Sequence, residues 1–525
     1  MRHSWQAAVA ALALAVPLAA GGPRVGSSPA TAPATNGLEP LIEKALRPGT
    51  SGAVSLTLSG AVSRTLAANK SLSVRRLDPA IARARVLQER GAFDDTLTLQ
   101  VQRQHNKSPA ASSLTGANVS ETDNRLGNLG FQTRFRDGSS LGITLNNQRS
   151  ETNSRFQTLN PSFASNLAVS LTKPLLRNGG SEAATAGLAI ARNSVEQGLL
   201  RLKKQLIDTV GAVERQYWDL VFARQDREVK RFSLQAAREL LAFNVARQQT
   251  GLGSDVQVVE AETTQSTRTD DLEVSGRVVQ DAQEVLRHQL SLDSAPAGAE
   301  LVPVQPPADL PSPIELEAAL REAFARRPDR LDALMELSNK NIRLAFLENQ
   351  KLPKLDLVAS YAQNGLAGGF GTALDEAAGA DFPGYTVVLQ VEVPLERRTA
   401  RGNYEQGKLE KRQALLGLKA VEDQIQEEVT RACRSLSTDL ARVEVSRRGA
   451  ALAARQLQAA EERYRQGLIA NFDLLRFQQD LADARSRALR AVVDAKKSGI
   501  AVDAAMGRLL ETNGIVVEEA AAPAR

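Results

Sequence analysis

Few residues of this chain have the types and spacing that chemistry needs. The only thiol, Cys433, lies in a helical pattern, and the three histidines, His3, His105 and His288, are far apart. Disulfide, thiol–histidine and zinc chemistry therefore lack ligands, and Cys433 reads as a buried or idle thiol. No paired acid and base, nucleophile or metal cluster recurs, so the chain is expected not to be an enzyme and to hold no cofactor. The glycine run GLAGGFG, Gly365 to Gly371, does not sit between a strand and a helix as a phosphate loop requires, and reads as a loop between strands. One charged pair stands at helical spacing. Asp473 and Arg476 share a helical face, where they could pair with each other, though a solvated pair contributes little.

The elements that carry these residues follow from composition and period. In 525 residues aromatic side chains are only 4% and charged ones 24%, a mixture of long exposed helices rather than of a thick core. The net charge of +5 is spread among 65 basic and 60 acidic groups, which gives no concentrated basic patch for nucleic acid. Arg2 and His3 precede the apolar run Ala7 to Ala20, too short to span a bilayer as a helix but of signal-peptide length, with small residues for cleavage. Residues 1–20 are thus a signal peptide, and residues 21–52, rich in Gly, Pro, Ser, Thr and Ala at their start, a flexible leader. No later stretch of about 20 apolar residues follows, so a membrane could be entered only as a β-barrel.

The chain reads as a tandem duplication. Leu199, Leu202, Leu206, Val210, Val213 and Tyr217 have helical spacing, and Leu418, Val421, Ile425, Val429, Ala432 and Leu436 repeat it 219 residues later. Nearly the same offset carries Pro174 onto Pro394 and Gly251, in TGLGSDV, onto Gly467, in QGLIANF. Farther upstream the offset drifts to 258, which implies an insertion in the first copy. The copies span 53–294 and 313–514, joined by a proline-rich linker over 295–312 where neither helix nor central strand should persist, and followed by a disordered tail, 515–525. Each copy predicts a helix (Ser55 to Arg90; Pro313 to Gln350), amphipathic strands, then two long helices around the glycine phrase. In the first copy these run from Ser181 to Gln249 and from Ser254 to Leu292. Val443, Ala450, Leu457 and Tyr464, seven apart, mark a coiled-coil seam. DDTLTLQVQRQ, NLAVSLT, LPKLDLVASYAQ and YTVVLQVEV alternate as strands with one apolar face, and FQTRFRDGSSLGITLNN has a hairpin pattern at Asp137 and Gly138, leaving four or six strands per chain open.

The doubled layout, TKPLL and EVPLE at strand-to-helix turns, AVERQYWDL, and the phrases TGLGSDVQVVEAE and YRQGLIANFDLLRFQ together resemble the TolC family of outer-membrane efflux proteins over residues 53 to 514. The resemblance implies a mainly α fold with β: long antiparallel coiled-coil helices forming an α-barrel tunnel across the periplasm, and strands, four per chain in the family, forming a transmembrane β-barrel shared in a homotrimer. It further implies an outer-membrane duct, embedded in outer-membrane lipid, that works with a periplasmic adaptor protein and an inner-membrane transporter in efflux or type I secretion. Gly251 and Gly467 would be the turns at the periplasmic tips, with Leu252 and Leu468 as apolar contacts for the adaptor. Pro174 and Pro394 would sit at strand–helix bends or as first-turn prolines. Relatives can carry two aspartates three apart inside the second tip; here Asp473 and Arg476 stand there, so the resemblance makes them a periplasmic gate with a single, partly countered acidic ring. A periplasmic coiled-coil adaptor or scaffold is the alternative, but it has no need of amphipathic strands.

Overall fold

The computed structural model describes residues 53–109, 118–292, 300–304 and 309–517. The expected signal peptide and leader, and the end of the expected tail (518–525), lie outside them. The first half begins with a short strand β1 (Ala53–Leu56) and three helices, α1 (Leu58–Ala68), α2 (Lys70–Arg75) and α3 (Asp78–Arg90), where the sequence predicted one. Asn69 divides the first two, accepting from the Leu72 N–H as the cap of α2, and Pro79 tolerates only the first turn of α3.

Four antiparallel strands follow: β2 (Thr96–Pro109), β3 (Val119–Arg134), β4 (Ser140–Thr152) and β5 (Ser162–Pro174). A single turn, α4 (Ser181–Ala184), leads into α5 (Ala186–Gln249) and α6 (Asp255–Gln289). After strand β6 (Glu300–Pro303), the second half gives α7 (Leu316–Arg326), α8 (Pro328–Asn349), β7 (Lys354–Ala367), α9 (Phe370–Ala378), β8 (Pro383–Glu392), α10 (Arg398–Arg465), α11 (Asn471–Met506) and the single turn α12 (Leu509–Thr512). Two departures from expectation stand out. The linker contains β6, which pairs in parallel with β1; in a sheet of only two strands Pro303 can end an edge without costing a ladder bond. The glycine run does sit between a strand and a helix, contrary to expectation: Gly365 belongs to β7, Phe370 begins α9, and only Gly368 and Gly369 connect them.

At 64 and 68 residues, α5 and α10 are each about 100 Å long at 1.5 Å per residue, and each folds back on its partner, α6 or α11. The stripes read from the sequence are the packed ones. Leu206, Val210, Val213 and Tyr217 are buried in one core, and Ile425, Val429 and Leu436 in another. Along α10, Val443 packs with Ala491 and Ala495, and Tyr464 with Leu474, so the seven-residue seam holds the second hairpin together.

All six long strands form one sheet in the order β2-β3-β4-β5-β7-β8, antiparallel throughout. The hairpin pattern at Asp137 and Gly138 is the β3–β4 hairpin. Its turn is seated on the strand-to-helix junction: Gly138 has φ +88°, a β-carbon there would lie 2.4 Å from the Asn178 carbonyl, and the Gly180 N–H donates to the Asp137 carbonyl. Among the described residues no helix is long and apolar enough to cross a membrane, which leaves the strands as the elements suited to it.

Candidate functional site

The sheet has two unlike faces. On one stand Leu97, Leu99 and Val101 of β2, Leu129 and Phe131 of β3, Leu141, Ile143 and Leu145 of β4, then Leu167, Val169 and Leu171, Leu355, Leu357 and Tyr361, and Tyr385, Val387, Leu389 and Val391. The edge members are the most open, with Leu99 71% and Tyr385 84% exposed. An apolar belt of this extent has no place in water. Toward the ends away from the helices the same face turns charged on β2, β3 and β4, with Arg103 2.6 Å from Asp123, Lys107 3.0 Å from Glu121 and Arg149 2.6 Å from Glu151. On β5 and β7 it is covered by α9, whose backbone approaches so closely that a β-carbon on Gly365 would lie 2.0 Å from the Ala373 oxygen. The opposite face carries mainly Thr, Ser, Asn and Gln, with Arg134, Lys354, Asp356 and Glu392 at its end near the helices. Strands of 10 to 16 residues suffice to cross a bilayer, which needs about 9–11 in a tilted strand. Apolar outside and polar inside is the pattern of a membrane barrel wall.

At the opposite end of the molecule the two glycine turns have one geometry. Gly251 has φ +75° and Gly467 +74°; the Gly251 N–H donates to Gln248 and Leu252 to Arg247, as Gly467 does to Tyr464 and Leu468 to Arg463. These paired bonds satisfy the last carbonyls of α5 and α10, and only the left-handed φ demands glycine, since open space surrounds both. Leu252 and Leu468 are 73% and 68% exposed. Ser254 caps α6 through the Val256 N–H. Asn471 is the first residue of α11 rather than its cap. Ala470 holds that position, and the Asp473 carboxylate accepts its N–H at 3.4 Å.

Asn471 is instead buried in a polar node that sequence reading missed. Its Oδ1 accepts from Asn244 (3.0 Å) and from the Tyr464 hydroxyl (3.2 Å), while its Nδ2 donates to Glu260 (2.9 Å). Tyr464 also donates to Asn244 Oδ1 (2.7 Å). The node joins α5, α6, α10 and α11, one turn from the tips. Asn244 precedes Gly251 while Asn471 follows Gly467, so no shared spacing in the two glycine phrases announces the node.

Asp473 and Arg476 lie on one turn of α11 as expected, but no ion pair joins them among the described residues; the exposed Arg476 faces the groove shared with Val256, Val259 and Phe472 of the two second helices. Pro174 ends β5 opposite Asp356, and Pro394 follows β8; neither is in the first turn of a helix, since α4 begins at Ser181 and α10 at Arg398. Cys433 is half-buried against the core of the second half, and burial pushes its thiol up, away from reactivity. No group of residues fit to hold a metal exists among the described residues.

Comparison with known proteins bears on both ends. Residues 319–508 match the family model for outer membrane efflux protein. The chain carries an outer membrane efflux domain. It is 24% identical over 446 residues, 81% of this chain and 88% of its relative, to the outer membrane efflux protein BepC of Brucella suis. The Campylobacter jejuni CmeC outer membrane channel superposes with a TM-score of 0.61 at 15% identity, covering 86% of each chain, and the outer membrane protein VceC of Vibrio cholerae with 0.60 at 16%, covering 87% of this chain and 96% of that one. This TolC-like chain therefore has the fold of the outer membrane channels, a helical tunnel segment carrying barrel strands, and belongs in the outer membrane with its helices extending into the periplasm.

Proposed function

We propose that three copies of this chain form the exit duct of a tripartite efflux or type I secretion system, taking substrates from an inner-membrane transporter and a periplasmic adaptor across the periplasm and outer membrane. The observation that carries this is the sheet: six strands, apolar on one face and polar on the other, with both edges, β2 and β8, unpaired. A lone set of six cannot close a barrel, and neighbouring copies satisfy such edges. In mild detergent the protein should run as a heat-labile trimer, and a monodisperse monomer would rule the reading out. The rival reading, a soluble periplasmic scaffold, leaves the belt unexplained; release of the mature protein without detergent would favour it. Residues 53–294 and 313–514 are on this reading two copies of one unit, supported by the matching turns and helix pairs, with the exposed Leu252 and Leu468 as contacts for the adaptor.

Asp473 and Arg476 we assign to the periplasmic gate. Three copies of Asp473 in one constriction would concentrate negative potential and favour cations, while Arg476, with no ion pair among the described residues, would reach an acidic group of a neighbour and oppose opening. Arg476→Ala should raise resting conductance in planar bilayers. Asp473→Asn, which retains an oxygen for the Ala470 N–H, should weaken cation preference and block by trivalent cations. If both variants match the parent, the gate lies elsewhere.

A further inference from the structure

The β3–β4 hairpin goes beyond the four-strand pattern that the resemblance implies. We propose that it is part of the barrel wall, so that three chains build an eighteen-stranded exit as wide as the helical tunnel, and solutes meet no size selection at the outer membrane. This rests on the duct reading above and adds to it where selection occurs.

Pairing places the hairpin in the middle of the sheet rather than across its mouth. β3 runs in register with β2 from Thr96–Gln132 to Pro109–Val119, and β4 with β5 from Ser140–Thr172 to Ser150–Ser162. Phase agrees with position. Leu129 and Phe131, with Leu141, Ile143 and Leu145, continue the apolar belt without a break, and a one-residue slip would have turned them inward. On the polar face one row of neutral amides crosses five strands at a single level, Gln100 opposite Asn128, Asn146, Asn166 and Asn364 in turn. Asn146 donates to Asn166 at 3.3 Å and Asn166 to Asn364 at 2.9 Å, so both added strands share the lumen face of the original ones. That row carries no charge. Parity also fits: six alternating strands leave β8 of one copy antiparallel to β2 of the next, as an even-stranded barrel requires.

The perimeter decides what the extra strands accomplish. Eighteen strands about 4.8 Å apart and tilted by about 40° wrap about 110 Å, close to the roughly 120 Å of twelve helices spaced about 10 Å apart, whereas twelve strands wrap only about 75 Å. The hairpin turn, wedged at Gly138 against the Asn178 carbonyl, carries the added strands down to that junction.

The test is the full-length chain in lipid nanodiscs, imaged by electron cryo-microscopy to count wall strands, together with paired cysteines in a Cys433→Ser background. Eighteen strands and a disulfide between Asn146→Cys and Asn166→Cys, with none between Gln100→Cys and Asn166→Cys, are expected. A trimer with a twelve-stranded wall, or the opposite disulfide pattern, in which β2 lies beside β5, overturns the proposal and leaves the duct standing. A chain that forms no membrane trimer overturns both. If a cysteine pair prevents folding, the strand count of the parent alone decides.

Discussion

Arg327→Ala is expected to destabilise the helical body by about 3 kcal/mol, the lower end for breaking a buried ion pair, because one partner stays partly solvated. Arg327 ends the corner between α7 and α8 with its side chain 9% exposed. Its guanidinium donates to both oxygens of Asp329, at 3.0 and 2.5 Å, to Glu428 of α10 at 2.6 Å and to the Ala505 carbonyl of α11 at 3.3 Å. One planar fork thus fastens a corner to two long helices, and Arg327→Lys, with a point charge, should recover only part of the loss. Burial alone would push Asp329 and Glu428 up, but hydrogen bonds and charge from Arg327 outweigh it and hold both carboxyls below their ordinary range. The same partners hold the Arg327 guanidinium above its own, against burial. With folded values lowered, the pair's stabilisation is complete above the unfolded values, roughly pH 4–5, and is lost as pH falls through the folded ones. Without the arginine the two acids are desolvated and mutually repelled, so acid relieves the variant while it weakens the parent. Thermal unfolding followed by helical circular dichroism should therefore show a gap at pH 7 that narrows toward pH 4. A gap independent of pH would mean that Arg327 acts through packing alone.

How legible such features were in the sequence depended on whether the cause was local. The stripe Leu206, Val210, Val213 and Tyr217 announces its burial by period, because a helix repeats its own geometry. Gly251 and Gly467 were legible because a left-handed turn excludes most other residues there, and Asp137–Gly138 marked a hairpin for the same reason. Arg327 was silent: Glu428 lies 101 residues away, and nothing in either segment names the other. Asn471 was as silent, because an amide at a helix start can cap or can reach inward, and only the partner Asn244, 227 residues distant, decides. GLAGGFG was misread because glycines signal loops and close approaches alike. Gly365 admits the carbonyl of a helix whose position no local pattern reveals. Asp473 and Arg476 were correctly placed on one turn, where they could pair, but no ion pair joins them among the described residues.

Val169→Arg should prevent assembly in the membrane, whereas Ala168→Arg, one residue away, should be tolerated. Successive strand residues point to opposite faces, so the pair tests which face meets lipid with the least change of position. Val169 lies mid-strand on β5 between Ile143 and Tyr361, within the apolar belt, and is 40% exposed. An arginine there would face hydrocarbon at a cost of about 2–4 kcal/mol if it lies near the midplane, where no water or partner can take up its charge. Ala168 lies between Thr144 and Ala362 on the polar face, where small neighbours leave room for a long side chain and the lumen hydrates it. The heat-labile oligomer recovered from the outer-membrane fraction is the measure, since a wall strand that cannot sit in lipid cannot close against the next copy. Loss with Val169→Arg and retention with Ala168→Arg fixes the belt as the lipid face of the wall. Equal loss would show that β5 tolerates no bulk on either side, and the reverse order would put the amide row, not the belt, against lipid.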